Sequence, residues 1–347
     1  MNKIPYHEYQ SMLLNPDIPD EKLLKMSILV KGEGAFDWFL QPNPDLVDIS
    51  SEEIEAENAM KIGNGLCRFR RASRYFNRRK QGVNLPVLVS EGDSWFQFPF
   101  LIKEVIDQLE DEYLIWSIGA AGDTAQNMVF ELEKRGKTEY LIALKARKKD
   151  GIAGFLFSAA GNDIIGEDPE TGTAALYNIL NEYNGDESDT IGHINFAELD
   201  SRMAFLRSAY EKVITSVRNE AGFETLPIFI HGYDYPFPFP YGDHDNRKPS
   251  YAKSNEWLGE PLDKRHFPVK SYELRRSIIK VLIDALYDML AELAGNSRMT
   301  KVWVVDCRNA MPEVTDWNDE IHGTSDGFRK VAERFRLKIQ EGTGQMG

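Results

Sequence analysis

Five short apolar runs place the strongest constraint on how this chain can fold. PVLVS (Pro86–Ser90), YLIWSIG (Tyr113–Gly119), GFLFSAAG (Gly154–Gly161), LPIFIHG (Leu226–Gly232) and KVWVVD (Lys301–Asp306) are rich in β-branched and aliphatic residues. None alternates apolar with polar. A strand wetted on one face alternates, whereas a strand buried on both faces does not. Helix-length stretches lie between the runs at Pro99–Glu110, Thr124–Arg135, Glu139–Lys149, Ser201–Ala221 and Ser271–Ala294, with Gly327–Glu341 after the last. Unalternated strands interleaved with helices predict a mainly parallel five-stranded sheet inside a three-layer α/β/α sandwich. In such sheets the working residues collect just beyond the C-terminal ends of the strands.

The residues at those ends form a coherent chemical set. Gly92-Asp93-Ser94 follows the first run and Gly119-Ala120-Ala121-Gly122-Asp123-Thr124 the second. Gly161-Asn162-Asp163 follows the third and His231-Gly232-Tyr233-Asp234-Tyr235 the fourth. Asp306 ends the fifth, and Trp317-Asn318-Asp319-Glu320-Ile321-His322 comes further on. Together they offer a hydroxyl, glycine amides, a carboxamide and an Asp–His pair, the parts that acyl transfer requires.

The blocks GDSW, AAGDTAQ, AAGNDIIG and DEIH, in this order and each behind a candidate strand, resemble those of the SGNH (GDSL-type) serine hydrolases. The resemblance spans about Leu85 to Gln340 and implies a flavodoxin-like fold and an ester hydrolase without a cofactor. It implies Ser94 as nucleophile, His322 as base and Asp319 as the residue that orients the imidazole. The oxyanion donors it implies are the N–H groups of Ser94 and Gly122 and the side-chain amide of Asn162. Two positions depart from the family pattern. Trp95 stands where Leu is frequent, and Gly323 stands where Pro often follows the histidine. Neither supplies a catalytic atom. The chain between Asn162 and Asp319 is long for the family, which places insertions at about 167–198 and 233–270.

Other features compete for a role. Gly323-Thr324-Ser325-Asp326-Gly327 fits the G-x-S-x-G pattern, but no strand precedes it and no histidine follows His322. Asp306 is the alternative orienter. The segment His231–Asp245 holds His231, Asp234, Asp243, His244 and Asp245, whose spacing matches no zinc signature. Its alternating Phe and Pro suit a stiff wall over a substrate pocket, so no metal is assigned. Trp95, Tyr233, Tyr235 and Phe237 are the expected substrate-binding side chains. The ester is left open between a lipid, a carbohydrate acetyl group and a small ester.

Residues 1–84 read as an N-terminal helical extension or docking module, with helices in Asp20–Val30 and within Ser51–Arg79 and a turn-rich stretch between. In Cys67–Lys80, seven of the last thirteen residues are Arg or Lys, which reads first as a solvated helix face. The alternative function is a partner-docked component, in which this module recruits a protein or an anionic membrane surface and hydrolysis is gated or secondary. A net charge of −14 disfavours nucleic acid as the main ligand. Two distant cysteines suggest no disulfide framework. With no signal-peptide pattern and no apolar stretch near ~18 residues, a cytoplasmic protein without transmembrane segments is expected.

Overall fold

The structure is a computed structural model, and it describes residues 3–31, 38–48, 63–98, 102–132, 136–166, 173–245, 247 and 257–344. In the N-terminal segment β1 (Ile4–Pro5) pairs in parallel with β4 (Val47–Asp48), and β2 (Ser27–Lys31) pairs antiparallel with β3 (Trp38–Pro42). The main sheet comprises β5 (Val87–Gly92), β6 (Leu114–Ser117), β7 (Ile152–Ser158), β8 (Ile228–His231) and β9 (Val302–Val305). Its order is β6-β5-β7-β8-β9, and every pairing is parallel. This is the flavodoxin-like order, whose topological switch lies between β5 and β7. The five apolar runs are these five strands. Every residue of β5 and β8 is buried, as unalternated strands under two helical layers must be.

The helices sit close to their expected places. Phe196–Arg218 and Tyr272–Gly295 pack on each other, and Ser325–Thr343 packs against β9. Thr124 opens the helix Ala125–Phe130 with a capping box shared with Asn127. The expected helix over Pro99–Glu110 is shorter, at Val105–Leu109, because Glu104 caps it by accepting Ile106 N–H at 2.6 Å. The first three residues of that expected helix lie outside the described residues.

The N-terminal segment contains sheet as well as helix. The helix expected over Asp20–Val30 stops at Lys25. Ser27 Oγ then donates to Leu23 C=O at 2.7 Å, and the β-branched run Ile28–Val30 enters the β2–β3 pair. The second expected helix is seen as Gly63–Lys80; residues 51–62 lie outside the described residues. This helix lies along β6, the edge strand of the main sheet. Its basic face is only partly solvated. Arg71 is buried, donates to Phe96 C=O at 2.7 Å, and pairs with buried Glu104 and with Asp107. Arg70 is buried on the other side, where it donates to the carbonyls of Leu13, Asn15 and Ile18. Among the described residues no helix is long and apolar enough to cross a membrane.

Candidate active site

Ser94 lies in the turn that follows β5, at the switch point. Phe96 N–H and Gln97 N–H both donate to Asp93 C=O, at 3.0 and 2.9 Å, and this fixes the turn. Ser94 Oγ is 2.8 Å from His322 Nε2. His322 Nδ1 is 2.8 Å from Asp319 Oδ2 and 3.0 Å from Oδ1. A carboxylate can only accept, so Nδ1 carries the ring proton and Nε2 is free to accept from the serine. All three side chains are buried. The His322 ring is walled by Phe98, whose centroid is 4.5 Å away, and by Trp257 at 5.6 Å.

The Asp–His pair is held by its own loop. Ile321 N–H and His322 N–H donate to Asp319 Oδ1 at 2.8 and 2.7 Å. Asn318 N–H donates to His322 C=O at 2.8 Å, and Thr324 N–H to Asp316 C=O at 2.8 Å. Thr324 then caps the helix Ser325–Thr343 by accepting Gly327 N–H at 3.0 Å. The G-x-S-x-G match is therefore a helix start: Ser325 Oγ accepts Lys103 N–H. Asp306 is held by Arg308 at 2.7 Å, in a pair with half its carboxylate exposed.

On the second side of Ser94, Asp123 N–H donates to Ala120 C=O at 3.1 Å and closes a turn in which Gly122 takes φ +90°, a conformation that favours glycine. Asn162 Nδ2 donates to Asp123 C=O at 2.7 Å, which ties the β7 loop to the β6 loop. Asp163 accepts from Ala125 N–H at 2.8 Å across the same junction. Neither the Ser94 N–H nor the Gly122 N–H has a hydrogen-bond partner among the described residues. Ala160, just before this block, has φ +105°, a strained value for a residue with a Cβ. Its neighbours hold it there: Tyr210 OH donates to Ala159 C=O at 2.9 Å, and Gly161 N–H donates to Tyr233 OH at 2.9 Å.

Several residues hold positions in this site that the sequence did not assign to them. Asp93 accepts from Trp95 N–H at 3.0 Å, from Ser158 Oγ at 2.9 Å, and from Tyr233 OH. His231 Nε2 is 2.8 Å from Ser158 Oγ, and His231 Nδ1 accepts Tyr233 N–H at 3.3 Å. Burial raises the Asp93 carboxyl above the usual range, a shift that its three donors oppose without cancelling. Burial lowers the His231 imidazole to about 3. Glu320, beside Asp319, is buried and accepts the backbone N–H groups of Phe239, Trp257, Leu258 and Gly259 at 2.6–3.1 Å. Burial raises its carboxyl above the usual range. From the N-terminal segment, Asn64 Oδ1 accepts Ala121 N–H at 3.0 Å and its Nδ2 donates to Ala121 C=O at 3.1 Å. Arg68 Nε donates to Gly119 C=O at 3.0 Å.

A cavity of about 90 Å³ opens beside Ser94 and Asn162. Of the four expected substrate-binding side chains, Trp95 and Tyr233 line it. Tyr235 OH instead donates to Asp284 at 2.5 Å, and the Phe237 ring lies 3.4 Å under the Arg276 guanidinium. Three of the five candidate metal ligands in His231–Asp245 have other partners. His231 bonds Ser158, Asp234 accepts three backbone N–H groups, and Asp245 pairs with Arg247.

No protein-family model and no curated protein matches this sequence. Solved structures with a similar fold include a Streptococcus pneumonia protein provisionally described as a platelet activating factor, at 11% identity and a TM-score of 0.41, over 84% of this chain and 100% of that one. A Clostridium thermocellum family 3 carbohydrate esterase aligns at 13% identity and a TM-score of 0.38, over 76% of this chain and 100% of that one. A carbohydrate acetylesterase family member from Sinorhizobium meliloti does so at 13% and 0.38, over 75% and 100%. Similarities this distant carry no argument about activity.

Proposed function

We propose that this protein is a serine ester hydrolase of SGNH type. The observation that carries the reading is the buried chain Ser94 Oγ–His322 Nε2–His322 Nδ1–Asp319, with both contacts at 2.8 Å. Ser94 Oγ attacks the ester carbonyl as its proton passes to His322 Nε2. The tetrahedral oxyanion takes hydrogen bonds from the N–H groups of Ser94 and Gly122 and from Asn162 Nδ2. Asp319 steadies the imidazolium, which then protonates the departing alkoxide. Water, deprotonated by His322, attacks the acyl-enzyme; the acid leaves and Ser94 recovers its proton. The unpartnered N–H groups of Ser94 and Gly122 support the oxyanion assignment. A site with this proton path needs no metal to activate its nucleophile.

The test is Ser94→Ala assayed against p-nitrophenyl esters, alongside labelling by a fluorophosphonate. The wild type is expected to be labelled and to turn over, and the variant to lose at least ~10³-fold in kcat and all labelling. Wild-type protein that is neither labelled nor active would overturn the reading.

A further inference from the structure

We propose that the substrate is an ester of an aliphatic acid, whose hydrocarbon chain enters the cavity beside Ser94; this rests on the serine-hydrolase reading. The cavity lies between the helices Phe196–Arg218 and Tyr272–Gly295 and the segment after β7. Its wall is mostly aliphatic, with Trp95 and Trp317 on one part of it: Ile164 and Leu176 come from that segment, Met203 and Leu206 from the first helix, Ile279 and Leu282 from the second. Ser94 and Asn162 on the wall belong to the reaction itself, and its other polar side chains, Asp93, Asp234 and Tyr233, are already engaged. Asp93 has its three donors, and Asp234 accepts from Tyr235, Asn309 and Met311 N–H. Tyr233 OH both donates to Asp93 and accepts from Gly161. A sugar's hydroxyls placed here would give up water without finding partners, a costly exchange. Methylene groups gain from the same wall.

The chain in the cavity belongs to the acid rather than the alcohol. A leaving oxygen must face His322 Nε2, the group that protonates it, and His322 is not on the cavity wall. Ser94, Gly161 and Asn162 are on it. With the carbonyl oxygen turned to its donors and the alcohol toward His322, the acyl substituent is directed into the cavity. At about 90 Å³ the space is several times the ~10–15 Å³ that one water occupies on the same measure, so it has room for several carbons beyond the methyl of an acetyl group.

The experiment compares p-nitrophenyl acetate, butyrate, hexanoate and octanoate on the full chain, where only the acyl side changes. At about fourfold per buried methylene, kcat/KM for hexanoate should exceed that for acetate about 10²-fold. Ethyl acetate and hexyl acetate, which lengthen only the alcohol, should differ by less than about threefold. Leu282→Trp fills the cavity and should lower the hexanoate-to-acetate ratio at least tenfold; Met203→Phe gives the same readout from the other helix. Acetate cleaved as well as hexanoate, with fluorophosphonate labelling and Ser94 dependence intact, overturns the aliphatic-acid assignment alone. A dependence on alcohol length instead of acyl length does the same. Absence of both labelling and turnover overturns the hydrolase reading, and this inference falls with it.

Discussion

At the scale of single residues, the least expected feature is the polar group behind the nucleophile. Ser158 and Tyr233 donate to Asp93, the residue before Ser94, and His231 bonds Ser158, so the group connects the ends of β5, β7 and β8. His231 is fully buried, and its environment holds the imidazole near 3 against an ordinary 6.5. It therefore stays neutral in the folded protein across mildly acidic pH, while the unfolded chain binds a proton below about 6.5. The sign follows. The stability tied to neutral His231 is complete above pH 6.5 and is lost as pH falls toward 3, by about 1.4 kcal/mol per unit at most. Buried acids such as Glu320, whose carboxyl is raised, pull in the opposite direction, but they cancel when two variants are compared. Urea unfolding of the wild type and His231→Gln at pH 7.5, 6 and 5 reads the effect. The stability advantage of the wild type should shrink by about 1.4 kcal/mol per unit below pH 6.5; an advantage independent of pH would mean that His231 titrates alike in both states.

Between elements, the contact that matters most for the site is that of the helix Gly63–Lys80 with the loop after β6. Asn64 grips both backbone groups of Ala121, inside the turn that presents Gly122 N–H, and Arg68 grips Gly119 C=O just before it. Asn64 Oδ1 also accepts from Gln97, three residues past the nucleophile. On the proposed mechanism Asn64 is a positioning residue for one oxyanion donor. Asn64→Ala should lower kcat about tenfold with KM unchanged, a smaller loss than removal of the donor itself. Asn64→Asp, which keeps the acceptor for Ala121 N–H, should recover part of it. A lowered melting temperature with unchanged kcat would reduce Asn64 to a packing role. This contact marks where the sequence stopped being informative. The sheet was legible because burial on both faces writes itself into unalternated runs such as VLVSEG. The Ser94, Asn162 and Asp319–His322 set was named from the resemblance of its blocks to the SGNH pattern, and of these Ser94, His322 and Asp319 lie within hydrogen-bond distance of one another. Asn64 and Glu320 act by bonding backbone groups distant in sequence, and Asp93 by bonding the distant side chains of Ser158 and Tyr233; neither spacing nor residue type announces that. The helix over Ser27–Val30 was misread for a related reason: Ile-Leu-Val suits either state, and only the pairing with β3 decides.

For the whole molecule, the question is whether the N-terminal segment is a separable module, as its position outside the motif blocks suggests. Two layers of contact answer differently. Residues 4–31 and 38–48 lean on the outer face of the helix Gly63–Lys80, with Arg70 gathering the carbonyls at the end of the first helix and Tyr9, Leu13 and Leu23 packing beside Leu66. The inner face belongs to the main core. Arg71 neutralises buried Glu104, and Tyr75 and Phe76 lie edge-on to Trp116 of β6 at 5.5 and 5.4 Å. A truncation that removes residues 1–62 exposes Arg70 and a small apolar cluster but keeps Asn64, Arg68 and Arg71. One that removes residues 1–84 leaves Glu104 buried without its cation, at about 3–5 kcal/mol, and uncovers β6 as well. Against a total stability of ~5–15 kcal/mol, the first loss is bearable and the second is not. Size-exclusion chromatography and thermal melts of the two truncations read the difference. The shorter deletion should yield a folded monomeric species that fluorophosphonate still labels, and the longer one aggregate or unfolded chain. A longer deletion that melts cooperatively near the full-length protein would instead make residues 1–84 a docking module, with the helix Gly63–Lys80 an accessory to the site rather than part of its frame.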